Sequence, residues 1–193
     1  MKLPYPGTEL TVEEIQREKV LVIGENIRVR RFERYEGDVN VSYVHAGGKI
    51  GVLVNLAVEG IEANKVIELG KDIAMQIAAM NPRFLNRDQV DDSTLASERE
   101  ILMAQVAEEG KPAAVAEKIV AGRINKFYEE NCLVDQAYVK ENKISVQKHV
   151  DAVAKELGGK IAIKRFVRFE KGEGIEKRTD DLAAEVSKMV SGN

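Results

Sequence analysis

Two hydrophobic periods meet in the stretch from His45 to Met80. Lys49 to Val58 is nearly continuously apolar and rich in valine, the pattern of a strand covered on both faces. Val66, Leu69, Ile73, Ile77 and Met80 then recur every three or four residues, which predicts an amphipathic helix lying on that strand. Gly60 and Asn64 punctuate the change of period. This strand–helix pair is the expected nucleus of the fold.

Upstream, Pro4, Pro6 and Gly7 break the lead-in. Thr11 and Glu14 form a capping-box pattern before Val12, Ile15, Lys19 and Val22, and Gly24 is the expected helix stop. Asn26 to Glu36 turns β-like, with neither face cleanly apolar. After a turn at Gly37-Asp38, alternation through Val39, Val41, Tyr43 and His45 predicts a strand. Gly47-Gly48 then predicts a two-residue primed hairpin turn.

Downstream of a break at Asn81-Pro82, Asp91 to Glu109 and Pro112 to Glu130 read as two charge-laced helices joined at Gly110-Lys111-Pro112. Leu95, Leu102 and Val106 can face Val115, Ile119 and Phe127. So narrow a seam predicts a projecting antiparallel coiled-coil arm rather than a core. Cys132 to Asn142 reads as an extended connection. Ser145 caps a helix carrying Val146, Val150, Val153, Ala154 and Leu157, which ends at Gly158-Gly159. A strand follows over Lys160 to Glu170, and a terminal amphipathic helix over Thr179 to Val190.

The chain also echoes itself. Laid over one another, 24–36 and 158–170 match at Gly24/Gly158, Ile27/Ile161, Arg31/Arg165, Phe32/Phe166, Arg34/Arg168 and Glu36/Glu170. Each copy follows an amphipathic helix, so two related helix–strand units with the arm between them are expected.

Composition narrows the class. Apolar residues make up 44% and charged residues 32%, with 29 basic against 32 acidic and a net charge of −3. That describes a globular protein and argues against a general binder of nucleic acid or anionic membranes. Cys132 is the single cysteine, which excludes an internal disulfide and fits a reducing compartment. The opening MKLPYPGTEL lacks the apolar region of a signal peptide, and no apolar run approaches the roughly 20 residues of a membrane span. A cytoplasmic location is the expectation.

Motifs for covalent chemistry are sparse. The sequence has no phosphate loop, nucleophile elbow or Cys/His cluster with metal spacing, so no cofactor is expected. Gly172-Glu173-Gly174 reads as a strand-ending turn. Arg28, Arg30, Arg31, Arg34, Arg165 and Arg168 could hold phosphate, but interleaved glutamates favour a salt-bridged sheet surface. His45 sits at a hairpin corner, His149 beside the apolar stripe of its helix, and Lys71 and Asp72 on a solvated helix face. Cys132 reads as a small buried hydrophobe.

Several stretches taken together resemble bacterial elongation factor Ts. They are Ile23-Gly24-Glu25-Asn26, Arg30-Arg31-Phe32, the runs 48–54 and 72–82, Gly110-Lys111-Pro112, Glu117 to Val120, Gly122-Arg123, Lys126-Phe127, the run 168–177 and Ala183 to Val186. The resemblance covers about Thr11 to Val190, in order and without large gaps. It implies an α+β fold of antiparallel sheet units packed with helices, an inserted antiparallel helical hairpin and a C-terminal helix. The implied division is a truncated first core unit at 1–38, a second core unit at 39–86 and 132–177, the coiled-coil arm at 87–131, and a C-terminal helical module at 178–193.

The implied function is guanine-nucleotide exchange on GDP-bound elongation factor Tu, performed by binding and without covalent chemistry. A module that binds elongation factor Tu or dimerises without exchange is the alternative. The resemblance also allows a homodimer through the arm, and it implies neither membrane nor direct nucleic-acid contact. Carried over position by position, Ile23, Gly24, His45, Lys71 and Val139 match partner contacts, while Lys140 departs from the apolar residue expected beside Val139. The family's small N-terminal domain and its Thr-Asp-Phe-Val motif have no counterpart in the sequence, so the first unit is expected to be shortened, with an exposed edge.

Overall fold

The apolar run predicted as a central strand is β2 (Ile50–Glu59), which pairs antiparallel on one side with β1 (Val39–His45). A computed structural model describes residues 1–175, and the helix expected over 179–190 lies outside them. The chain divides into two units, Met1–Tyr35 and the portion from Glu36 on.

In the first unit α1 (Val12–Ile23) starts with the capping box foreseen from its sequence. The Glu14 amide donates to Thr11 Oγ1 at 3.3 Å, and the Thr11 amide donates to Glu14 Oε2 at 2.7 Å. Together these satisfy two of the helix's unpaired donors. Gly24, at φ 76°, ends the helix in the left-handed conformation. None of α1's residues is buried.

The strand expected over Asn26 to Glu36 does not form. Its second copy becomes β5 (Lys160–Glu170), laddered along β2. The first copy takes no strand conformation, because alternation by itself does not fix a strand. The internal echo therefore holds for the helix and its left-handed glycine stop, Gly24 at φ 76° and Gly158 at φ 75°, but not for the strand.

The second unit is an α+β structure built on a three-stranded sheet, order β1-β2-β5, antiparallel throughout. Val41 faces Val54, Val54 faces Phe166, and the register shifts after Asn55 so that Lys164 becomes an extra, bulged residue of β5. Val54, Asn55 and Leu56 are buried in succession, as a strand covered on both faces requires. The β1–β2 connection is longer than predicted. Pairing stops at His45 and Ile50, and the loop 46–49 places Ala46, Gly47 and Gly48 all at positive φ. The glycines supply the left-handed backbone expected of them, but over four residues rather than two.

Helix α2 (Ile67–Met80), entered through a 3-10 turn at Ala63–Val66, buries Leu69, Ile73, Ala74 and Ile77 against one sheet face. Between β2 and β5, on the sequence side, the chain also forms a projecting hairpin of α3 (Asp92–Glu108) and α4 (Ala113–Asn131). Its seam is Leu102 and Val106 against Ala116 and Val120, flanked by Ile119 and Ile124. Val115, expected in the seam, is exposed, because the 116–120–124 row faces α3 and Val115 lies about 100° away around the helix. Leu95 and Phe127 pack instead at the base, with Val90, Cys132, Phe84 and Tyr128.

At that base the outgoing and returning chains are joined. Phe84 and Cys132 form a parallel bridge, with Phe84 N donating to Asn131 O at 3.0 Å, Leu133 N to Phe84 O at 2.9 Å and Val134 N to Leu85 O at 3.1 Å. The stretch read as a plain extended connection contains a small hairpin, β3 (Ala137–Tyr138) and β4 (Glu141–Ser145). Ser145 then caps α5 (Val146–Glu156) by accepting from Lys148 N. Val146, Val150 and Ala154 of α5 complete the core.

Candidate functional site

Of the positions singled out in the sequence, Ile23, Gly24, His45 and Val139 lie where elements end or turn, and Lys71 lies within α2. In the first unit Ile23 is the last residue of α1, and the left-handed Gly24 turns the chain away from it. Ile23 is 54% exposed, and its neighbours Leu21 and Val22 are 83% and 75% exposed. Three consecutive apolar side chains in water are costly for a helix end unless they serve a contact.

In the second unit His45 closes β1 on the same face as Val39, Val41 and Tyr43. Its Nδ1 shares a 2.9 Å hydrogen bond with the Tyr43 hydroxyl, and the two rings lie 5.7 Å apart and tilted. The imidazole is thus held by its own strand, with Nε2 left as the nitrogen not engaged by Tyr43.

A polar node links α2 to the β3–β4 hairpin; Val139 joins it through its amide, and Lys71 only precedes its Asp72 in sequence. Lys71 is exposed and pairs with Glu68 one turn back, at 2.6 Å. The next residue, Asp72, accepts from the Tyr138 hydroxyl at 2.9 Å and from Lys140 Nζ at 2.6 Å. Val139 itself is 41% exposed, while its amide donates to Gln76 Oε1 at 2.8 Å. Gln76 has no solvent exposure. Its amide nitrogen donates to Gln136 Oε1 and to Ala137 O, both at 3.1 Å, and Gln136 in turn donates to Glu130 O at 2.9 Å. Every polar atom of the buried Gln76 side chain is therefore paired, as burial demands. His149 stacks on Tyr138 with centroids 4.1 Å apart, 13° from parallel. Burial raises the Tyr138 phenol well above its ordinary value, with Asp72 adding to the shift.

Val139 belongs to the node, Lys71 pairs only with Glu68 on its own helix, and Ile23 and Gly24 are consecutive. Among the described residues His45 pairs with Tyr43 and shares no hydrogen bond with Lys71 or Val139. The sequence does not single out Gln76 or Tyr138, and Asp72, expected on a solvated face, is instead engaged by Tyr138 and Lys140. The available signal was the spacing of Asp72 four residues before Gln76, two polar groups bordering the apolar stripe of α2. Lys140, out of pattern for an apolar contact, has its ammonium engaged by Asp72.

The exposed apolar and hydrogen-bonding groups at these positions suit recognition of another molecule. Cys132 is fully buried, and burial with the nearby Asp135 charge pushes its thiol up to about 11, the reverse of an activated nucleophile. Among the described residues no group of three or more His, Cys, Asp or Glu could hold a metal ion. No helix among them is long and apolar enough to cross a membrane.

Comparison with known proteins agrees with the resemblance found in the sequence. The family model described as Elongation factor TS matches residues 1–173. The chain is 47% identical over 191 residues to elongation factor Ts of Syntrophotalea carbinolica, covering 97% of this chain and 63% of that protein. Elongation factor Ts of Clostridium botulinum (strain ATCC 19397 / Type A) is 49% identical over 182 residues, covering 93% and 59%. That of Clostridium kluyveri (strain NBRC 12016) is 48% identical over 184 residues, covering 94% and 60%. The chain thus spans about 60% of the length of the curated relatives it matches. With a family match running from the first residue through the end of β5 and these identities along it, the chain belongs to the elongation factor Ts family.

Proposed function

We propose that this chain binds GDP-bound elongation factor Tu in the cytoplasm and promotes release of the nucleotide. The observation that carries the reading is the family match over 1–173. The exposed helix end at Ile23, the tethered His45 and the exposed Val139 on a braced turn support it as places where a protein surface can dock. Exchange of this kind needs no reagent from the factor. If the factor and GDP each weaken the other's hold on the GTPase, they must do so by the same factor, so docking lowers the affinity for the nucleotide, and exchange requires in addition that this loss be expressed as faster release. The α3–α4 arm is the segment through which a second copy would associate.

Release of fluorescent GDP from elongation factor Tu, with and without this protein, tests the proposal. Faster release that saturates with protein concentration is expected, and unchanged release overturns it. A second reading is a module that binds elongation factor Tu, or dimerises, without exchange. A stable complex with unaltered GDP release would establish that reading.

A further inference from the structure

The β3–β4 hairpin is too short to fix its own shape. Tyr138 pairs with Glu141, so Val139 and Lys140 alone form the turn, and β3 is two residues long. An isolated hairpin of that size is marginal in water. Its three successive residues 138, 139 and 140 are each bonded to α2: Tyr138 Oη to Asp72 at 2.9 Å, Val139 N to Gln76 at 2.8 Å and Lys140 Nζ to Asp72 at 2.6 Å. Asp72 and Gln76 lie one helical turn apart on α2, so a rigid helix grips the turn at two levels.

The Gln76 amide cannot rotate freely, because its nitrogen donates to Gln136 Oε1 and Ala137 O. Its oxygen is thereby aimed at the Val139 amide. With the Val139 amide drawn inward, the residue as a whole remains 41% exposed. His149 stacked on Tyr138 restrains the same segment from α5.

We infer that Asp72 and Gln76 are positioning residues, which hold the 138–140 turn in one conformation so that Val139 is presented ready-made to a protein partner. The inference rests on the reading of Val139 as a contact with elongation factor Tu. Ordering a loop on binding subtracts from affinity, and a turn braced beforehand avoids that loss. Asp72 and Gln76 therefore act on the complex through Val139, without touching the partner themselves.

The test uses the full chain and GDP-bound elongation factor Tu, with Kd measured by calorimetry for Asp72→Ala, Asp72→Asn, Val139→Ala and the Asp72→Ala/Val139→Ala double variant. Asp72→Ala removes both bonds at the lower level of the grip and leaves a good helix former. Its Kd should rise about fivefold as the turn loosens, and that of Val139→Ala about tenfold. Asp72→Asn keeps an oxygen for Tyr138 and should recover part of the loss. In the double variant Kd should match Val139→Ala within about twofold, since a positioning group has nothing left to position. Hydrogen exchange at the Val139 amide should quicken in Asp72→Ala. A multiplicative loss in the double variant, or an unchanged Kd for Asp72→Ala beside a weakened Val139→Ala, overturns the positioning role while leaving the contact intact. Wild-type Kd for Val139→Ala removes the contact and the inference with it.

Discussion

A Cβ placed on Gly70 would stand 2.5 Å from Cγ2 of Val41 and 3.0 Å from its Cβ. Helix α2 and strand β1 therefore meet where the helix has no side chain, and the approach brings the whole apolar stripe of α2 down onto the sheet.

That contact decides the sign of a substitution. Alanine is favoured over glycine inside a helix by about 1 kcal/mol, but wedging a methyl group into a filled core costs about 1–3 kcal/mol. Gly70→Ala is expected to destabilise on balance, read as a lower urea midpoint at unchanged slope. A midpoint equal to or above wild type would contradict this packing.

Cys132 offers a chemical check on burial. The thiolate is the reactive form, so the native protein should resist iodoacetamide at about pH 8 and react once unfolded. Because its thiol is raised in the folded state from 9.0 to about 11, the associated stability is complete below 9.0 and is lost as pH rises through about 11. Labelling of native protein at the rate of a free thiol would be incompatible with this site.

Asp91 caps α3, accepting from the Ser93 hydroxyl and from the Thr94 amide and hydroxyl, each of the latter at 2.8 Å. These bonds, led by the Ser93 hydroxyl, hold its carboxyl well below the ordinary 3.8. A depressed folded value means that the cap stabilises fully above 3.8 and that its contribution fades as pH falls through the folded value. Asp91→Ala should lower the thermal midpoint near neutrality, and the gap from wild type should narrow in strong acid. A gap independent of pH would count against an ionic cap.

Val106 has no solvent exposure and sits in the arm's seam with Leu102, Ala116 and Val120. Val106→Ala should cost the hairpin about 2 kcal/mol. The loss is expected to be local, with faster amide exchange in α3 and α4 and retained protection in β2. Equal acceleration everywhere would show that arm and sheet unfold as one.

For the proposed contacts, Ile23→Ala and His45→Ala are each expected to weaken the complex with elongation factor Tu by about 1–2 kcal/mol. Isothermal titration measures it. Wild-type affinity in both variants would remove both positions from the contact.

Elements governed by local signals could be read directly. The Thr11/Glu14 box, the Gly24 and Gly158 stops, the Ser145 cap and the 160–170 strand all stand as the sequence predicts. What failed was non-local. Residues 26–36 alternate like a strand, yet alternation alone does not make one. The β3–β4 hairpin is fixed by Asp72 and Gln76, more than sixty positions earlier, and nothing within 132–142 announces them. In the arm, Val115 and Ala116 are one step apart, and size favoured the wrong one for the seam. As for the site, an exposed Ile23 or Val139 carries no mark of its role in its own chemistry. Only the likeness to a family singles out such positions.

The join at Phe84 and Cys132 also bears on how this architecture can vary. Because the two chain ends are stitched side by side there, the host sheet senses little of what projects beyond them. The entropy of closing a loop grows only with the logarithm of its length, about 0.6 kcal/mol for each doubling. Evolution can therefore lengthen, trim or re-charge the projection almost independently of its platform, adjusting reach without renegotiating the foundation.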